Sequence, residues 1–197
     1  GLAVASLMVP FGPPEDSEGR LDIHDPPVSA LDAVVKGTLD GVPILAAIIA
    51  TLLVTVSLVA LLNMGLAQLP GWAGTPLTLQ RIVSLPFRPV MWLIGVPWAE
   101  TGLASSLMAT KTVLNEFVAY LDFSHLPPDS FSPRTRMILA YALCGFANFG
   151  SLGIMIGGLG TMIPARRHEI VGLGLRSILS GTIATCMSGA VAGALFS

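Results

Sequence analysis

The sequence predicts an all-α integral membrane protein, built from transmembrane helices with a re-entrant helical hairpin and a broken, discontinuous helix. Of its 197 residues, 53% are hydrophobic and 11% are charged, and the mean hydropathy is +0.77. A typical soluble domain is about 25% charged. Residues 41–80 and 137–165 carry no charge, and uncharged stretches of this length are typical of segments that lie in a bilayer.

The first 40 residues are predicted to end one helix and then to leave the membrane. Residues 1–10 are apolar with no charged region before them, so we interpret them as the end of a transmembrane helix within a longer protein, not as a signal peptide. Residues 11–40 are rich in acidic side chains and proline pairs, which predicts a polar connector. In this connector, Ser29 is a candidate cap for a short interfacial helix over residues 30–37 that ends at Gly37.

Residues 41–64 are predicted to form a transmembrane helix. Over residues 42–64 such a helix is about 34 Å long, which exceeds the hydrocarbon thickness of about 30 Å. Residues 65–100 differ, because they contain five prolines and all three tryptophans of the chain. Tryptophan favours the headgroup level, so this segment is predicted to hold an interfacial amphipathic helix over residues 77–85, followed by a turn.

Residues 101–123 are predicted to form a re-entrant hairpin. They are apolar at both ends but carry Lys111, Asn115 and Glu116 between them. Each charge at the centre of a lipid-facing helix costs about 2.5–3.5 kcal/mol. A hairpin avoids this cost because its polar tip lies inside the protein. Lys111 is expected either to pair with Glu116 or to extend its ammonium group toward the interface.

Residues 134–163 are predicted to form a discontinuous transmembrane helix. This stretch contains the sequence CGFANFGSLG, in which each glycine weakens a helix by about 1 kcal/mol and Asn and Ser compete for backbone hydrogen bonds. The helix is therefore expected to unwind near the middle of the membrane and then to resume. Residues 169–196 follow as the last transmembrane helix, in which the spacing of Gly189 and Gly193 lets another helix approach closely.

The two interruptions place polar side chains at membrane depth, which predicts a substrate site. Discontinuous helices that meet near the midplane hold the substrate in many secondary transporters. Glu116 can accept hydrogen bonds from two adjacent hydroxyl groups, Asn148 and Ser151 can both donate and accept, and Phe146 offers an apolar ring face. This group suits a polyhydroxylated ligand. The alternative for Asn115 and Asn148 is that they satisfy only local backbone groups.

Other features argue against several functional classes. The net charge of -2 and the lack of a basic patch argue against a nucleic-acid partner. Cys144 and Cys186 lie in apolar stretches and predict neither a disulfide framework nor a metal motif, so no cofactor is expected. The sequence contains no GxSxG, HExxH or phosphate-binding loop, and an enzyme is therefore not predicted.

Three segments resemble a known family. KTVLNEFVAY, at residues 111–120, and YALCGFANFGSLGIMIGGL, at residues 141–159, resemble signature segments of the concentrative nucleoside transporters. The pattern PxRRxEIxxLGLRSxxSGTxAT, at residues 164–185, is similar to the last helix of that family. The resemblance extends from about residue 30 to the end of the chain. Gly150 is a departure, since many bacterial members carry serine there.

The resemblance implies the C-terminal half of a cation-coupled symporter, which takes up nucleosides with Na+ or H+ as the coupling ion. It implies a homotrimer in the lipid bilayer of the bacterial inner membrane, with a transport domain that moves as an elevator. Glu116 matches the ribose-binding carboxylate, Asn148 and Ser151 match ribose-binding positions, Phe146 matches the aromatic packed on the ribose, and Asn115 matches the neighbouring asparagine of the hairpin tip. A nucleoside-binding membrane sensor and a re-entrant-loop channel without coupled transport are the alternatives.

Overall fold

Helices are the main structural elements of the described part of the chain. The computed structural model describes residues 1–10, 26–71 and 74–196, so residues 11–25 of the predicted connector and Trp72 lie outside it. Within these ranges there are eight α-helices and no strand, which confirms the predicted all-α class. The helices are α1 (Leu2–Met8), α2 (Ala30–Leu66), α3 (Leu79–Leu93), α4 (Thr101–Val113), α5 (Glu116–His125), α6 (Pro133–Leu143), α7 (Phe149–Met162) and α8 (Arg167–Leu195).

Within the described ranges, two helical segments are long and apolar enough to cross a membrane. They are Ala30–Leu66 and Pro164–Leu195, with mean hydropathy values of 2.8 and 1.6 over their most apolar windows. Helix α2 exposes large apolar side chains along much of its length, for example Leu53 at 65% and Leu61 at 64%. An apolar surface of this extent is unfavourable in water and suits lipid or another protein surface.

Helix α2 is longer than the sequence predicted. Ser29 caps it as expected, since its side chain accepts a backbone hydrogen bond from the first turn. The predicted end at Gly37 is wrong, because the helix continues through Gly37 and Pro43 to Leu66. One glycine costs only about 1 kcal/mol, and propagation along a long apolar helix adds one hydrogen bond per residue. The predicted interfacial helix and the predicted transmembrane helix are therefore one element.

Helix α3 is also longer than predicted. It begins after Thr78, whose side chain accepts a hydrogen bond from the backbone of the first turn, and it ends at Leu93. The expected turn after residue 85 is wrong, because the helix passes through Pro86 and Pro89. Its C-terminal half includes the fully buried Met91, and its packing against α4 is the most extensive between any two described helices. This burial outweighs the two missing backbone donors.

Close packing between α6 and α8 depends on the two glycines that the sequence singled out. A Cβ atom at Gly189 would lie 2.8 Å from the carbonyl oxygen of Ile138. A Cβ atom at Gly193 would collide with the side chain of Ile138. The main core lies where α3, α4 and α6 meet, with contributions from α5, α8 and two loops. Its buried apolar residues are Met91, Val96, Ala104, Leu107, Met108, Ala119, Phe131, Ile138, Leu139, Ala142, Leu143 and Cys186.

The two helix interruptions lie at the predicted places. Helices α4 and α5 are separated by residues 114–115, and they pack against each other. Helices α6 and α7 are separated by residues 144–148. Entry of the first pair into the membrane from one side, and passage of the second pair across it, stay predictions.

Candidate functional site

The hairpin interruption ends with an asparagine that caps the next helix. The backbone of Asn115 is extended, and its side-chain oxygen accepts a hydrogen bond from the amide of Val118 at 2.9 Å. This contact satisfies one of the free amides at the start of α5. Asn115 thus has the local backbone role that the sequence left open for it, and it places Glu116 in the first turn of α5.

The second interruption uses the same device in a more buried form. Asn148 caps α7 by accepting a hydrogen bond from the amide of Ser151 at 2.6 Å, and the Ser151 hydroxyl accepts one from the amide of Asn148 at 3.1 Å. The Ser151 hydroxyl also donates to the carbonyl of Asn148 at 2.8 Å. This reciprocal arrangement is a capping box. The two residues are only 1% and 6% exposed, so the start of α7 is rigidly defined.

One hydrogen bond joins the two interruptions. The side-chain amide of Asn148 donates from Nδ2 to Oε2 of Glu116 at 2.8 Å. The structure therefore brings together three of the predicted residues, since Glu116, Asn148 and Ser151 form one hydrogen-bonded chain. In the part of the chain that the structure describes, no hydrogen bond engages Oε1 of Glu116. This oxygen can accept a further hydrogen bond, and the second amide hydrogen of the buried Asn148 has no described acceptor.

Two helix N-termini lie next to the Glu116 side chain. Glu116 is in the first turn of α5, and its hydrogen-bond donor Asn148 is the cap of α7. Helix N-termini carry partial positive charge from the aligned peptide dipoles. Of the two acceptor oxygens of Glu116, the described protein engages only Oε2.

Phe146 lies within the second interruption, two residues before Asn148. It is 62% exposed, and it lines a cavity of about 340 Å³ together with Ser151 and residues of α8 such as Gly181 and Thr185. Glu116 and Asn148 do not belong to this lining. Phe146 therefore shares a cavity with Ser151, which is hydrogen-bonded to Asn148. A large part of its aromatic ring is accessible.

Lys111 has neither of the two roles expected from the sequence. Its side chain is fully buried, so the ammonium group does not extend to the interface. Its hydrogen bonds go to the carbonyl of Ala142 at 3.4 Å and to the hydroxyl of Thr185 at 3.1 Å, not to Glu116. The free carbonyls at the end of α6 draw the ammonium toward this helix. A lysine in an otherwise apolar segment, next to a predicted helix interruption, was the available signal for this contact.

Tyr120 is a second contact that sequence reasoning missed. Its hydroxyl donates to the carbonyl of Ala140 at 2.5 Å. Tyr120 lies on α5 and Ala140 lies on α6, so this bond also connects the hairpin to the broken helix. Its position four residues after Glu116, on the same face of the helix, was the only sequence signal.

A larger cavity lies away from these polar groups. Its volume is about 550 Å³, and mainly apolar side chains of α3 and α8 line it, including Phe87, Leu179 and Met187. None of the predicted site residues belongs to its lining, so its size does not make it the better candidate. Among the described residues, no group of three or more His, Cys, Asp or Glu side chains is placed to hold a metal ion.

Comparisons with known proteins identify the family of the chain. Residues 1–193 match the family model for the Na+ dependent nucleoside transporter C-terminus. The chain is 40% identical to an uncharacterized transporter of Haemophilus influenzae, with 98% of this chain and 48% of the relative covered. It is 34% identical to the nucleoside permease NupC of Helicobacter pylori, with 98% and 47% covered.

A solved structure of CNTnw, in an inward-facing substrate-bound state, has the same fold. It superimposes with a TM-score of 0.70 at 41% identity, with 86% of this chain and 42% of that chain covered. The chain thus spans about half the length of the relatives that it matches.

Proposed function

The chain belongs to the family of Na+ dependent nucleoside transporters, whose C-terminal region it matches, and from this membership we propose that it supplies the ribose-binding half of a nucleoside symporter. A chain of this family is an integral membrane protein. In the proposed function, entry of the nucleoside is coupled to a Na+ or H+ gradient across a bacterial inner membrane. The working unit is a homotrimer in which the hairpin and the broken helix move together as part of an elevator domain.

The hydrogen bond between Asn148 and Glu116 carries this proposal. It places a carboxylate oxygen and an amide donor side by side, and two vicinal hydroxyl groups complement this pair. One hydroxyl donates to Oε1 of Glu116, and the other accepts from the amide of Asn148. A 2′-deoxyribose offers only one of the two hydroxyls. A lost hydrogen bond to a charged group costs about 1.5–3 kcal/mol, which corresponds to a loss of affinity of about tenfold to a hundredfold.

The remaining site residues complete the ribose pocket. Ser151 holds Asn148 in place through the capping box. The exposed ring of Phe146 packs on the apolar face of the sugar, and Asn115 keeps Glu116 in the first turn of α5. Contacts to the base and to the coupling ion belong to the other half of the transporter.

Uptake by the intact transporter tests this proposal. We expect accumulation of radiolabelled uridine above its external concentration, dependence on a Na+ or H+ gradient, and weaker uptake of 2′-deoxyuridine. In Glu116→Gln, the preference for uridine over 2′-deoxyuridine should fall by about tenfold. Asp122→Asn is the matched control, because Asp122 lies on the same helix and is exposed.

Three other outcomes of these uptake experiments would contradict part of the proposal. Uptake that stops at equal concentrations on the two sides indicates a channel, and binding without uptake indicates a sensor. If Glu116→Gln keeps the parent preference at equal membrane abundance, ribose recognition by this carboxylate is wrong.

A further inference from the structure

The C-terminal end of α6 presents a problem for a helix that stops inside a membrane. The last four carbonyl groups of any α-helix have no partner within that helix. At membrane depth no water is present to satisfy them, and each unsatisfied group costs several kcal/mol. In α6 these groups belong to Ala140, Tyr141, Ala142 and Leu143.

Local backbone satisfies only two of these four carbonyls. The amide of Cys144 donates to the carbonyl of Tyr141 at 3.3 Å, and the amide of Gly145 donates to the carbonyl of Leu143 at 2.7 Å. Both bonds fold the interruption back onto the helix end. They leave the carbonyls of Ala140 and Ala142 for groups from elsewhere in the protein.

The hairpin supplies a donor to each of the other two. The hydroxyl of Tyr120, on α5, donates to the carbonyl of Ala140 at 2.5 Å. The ammonium group of Lys111, on α4, donates to the carbonyl of Ala142 at 3.4 Å. Both arms of the hairpin therefore contact the same helix end, and Glu116 lies between the two donors in sequence.

The Lys111 contact is tightly enclosed. The ammonium also donates to the hydroxyl of Thr185 on α8 at 3.1 Å, and this hydroxyl donates to the carbonyl of Thr182. A Cβ atom at Gly145 would lie 3.2 Å from Nζ of Lys111 and would collide with Thr185. A positive charge at the carbonyl end of a helix is favourable. The interruption thus needs glycine at position 145 so that three elements can meet around one cation.

These contacts determine where the second interruption begins relative to the hairpin. Two bonds hold the end of α6 against the two arms of the hairpin. Five residues after the helix end at Leu143 the chain reaches Asn148, whose amide bonds to Glu116 at the start of α5. A shift of the helix end would therefore move Asn148 relative to Glu116 and change the spacing between the free acceptor and the free donor.

We propose that Lys111 and Tyr120 are positioning residues for ribose recognition, because together they hold the end of α6 on the hairpin and so set the Glu116–Asn148 pair at the spacing of vicinal hydroxyls. This inference rests on the proposed function for its substrate. It assigns no ligand contact to either residue.

Tyr120→Phe is the central test, since it removes one hydroxyl group and keeps the ring. In the intact transporter we expect the KM for uridine to rise about two- to tenfold, with a smaller preference for uridine over 2′-deoxyuridine and an unchanged maximal rate per transporter. Tyr141→Phe is the matched control, because Tyr141 is the other tyrosine of the chain and is 51% exposed. It should leave both quantities unchanged.

A double-mutant cycle separates positioning from general destabilisation. If Tyr120 acts through the Glu116–Asn148 pair, the loss of ribose preference caused by Tyr120→Phe should disappear in a Glu116→Gln background. Equal losses in both backgrounds would overturn the proposal. Lys111→Arg should retain more of the preference than Lys111→Met. If neither Lys111 variant reaches the membrane, the Tyr120 cycle decides the question.

Hydrogen exchange tests the same contacts without any substrate. Backbone amides of residues 144–150 should exchange faster in Tyr120→Phe than in the parent, whereas Tyr141→Phe should match the parent. Unchanged exchange together with unchanged ribose preference would refute the positioning role. If the parent transporter takes up no nucleoside, the proposed function fails. Faster exchange would then still establish that Tyr120 holds the interruption, although not that it serves ribose recognition.

Discussion

Asn115 and Asn148 each cap the helix that follows an interruption, but only Asn148 has a described side-chain hydrogen bond to the other interruption. Asn115 and Asn148 each precede a helix, and each accepts a hydrogen bond from the amide three residues later. Asn115 is half-buried, and its described hydrogen bond stays within its own helix. Asn148 is 1% exposed and also donates to Glu116. A cap becomes part of a binding site when packing places its remaining amide group opposite another functional side chain.

The helix ends before the two interruptions also differ. At the end of α4 the amide of Leu114 donates to the carbonyl of Thr110, four residues earlier, as in a regular α-helix. At the end of α6 two of the four carbonyls accept hydrogen bonds from side chains of the hairpin. The start of the second interruption is thus tied to the hairpin by side-chain contacts.

Among the variants that test this comparison, Asn148→Ala should have the largest effect, which we expect on the affinity for uridine. It removes the cap of α7, which costs about 0.5–2 kcal/mol, and it leaves Glu116 without its described donor, which costs about 1.5–3 kcal/mol. We expect the dissociation constant for uridine to rise by about a hundredfold or more. Equilibrium binding to the purified transporter measures this. An affinity within about threefold of the parent would mean that the bond joining the two interruptions does not serve the substrate.

Gly145→Ala should have the next largest effect, which we expect to be a loss of folding stability. Its Cβ atom would collide with Thr185 and press on Lys111, and overpacking of this kind costs about 1–3 kcal/mol. Thermal unfolding in detergent should show a lower midpoint. Gly157→Ala in α7 is the control, because a Cβ atom there meets nothing within 4 Å. An equal midpoint for the two variants would contradict the close packing around the second interruption.

Asn115→Ala should have a smaller effect. Loss of a helix cap typically costs about 1 kcal/mol, and Asn115→Ser should restore most of it because serine is also a good cap. We expect a lower unfolding midpoint in Asn115→Ala with the parent preference for uridine over 2′-deoxyuridine. If Asn115→Ser folds normally but loses that preference, Asn115 contacts the substrate directly and the contrast with Asn148 weakens.

Labelling of single cysteines should show on which side of the membrane the ends of each interrupted segment lie. In a background with Cys144 replaced by Ala, cysteines at Trp98 and His125 should react with an impermeant thiol reagent from the same side of the membrane. Cysteines at Asp129 and His168 should react from opposite sides. Labelling of Trp98 and His125 from opposite sides would rule out a re-entrant hairpin.

Sequence patterns located the interruptions well and two helix ends poorly. The local chemistry of Asn, Ser and Gly at residues 144–151 is sufficient to stop a helix, so its signal is visible without any partner. Gly37 and Pro86 carry similar signals, but α2 and α3 continue through them. Their cost is outweighed by propagation in α2 and by burial against α4 in α3. Helix-breaking residues therefore do not by themselves predict a helix end, because the packing of the whole helix decides whether their cost is outweighed.

The composition and the local sequence determined the helical membrane class, the two interruptions and the capping roles of Asn115 and Asn148. These properties depend on hydropathy and on hydrogen bonds between residues a few positions apart. The tertiary structure decided which groups meet. Asn148 and Glu116 are separated by 32 residues, and Lys111 and Thr185 by 74. Such distances depend on how whole helices pack, through glycines such as Gly145, Gly189 and Gly193 that let backbones approach. The buried position of Lys111 follows from that packing, because only the assembled helices supply a carbonyl and a hydroxyl around its charge.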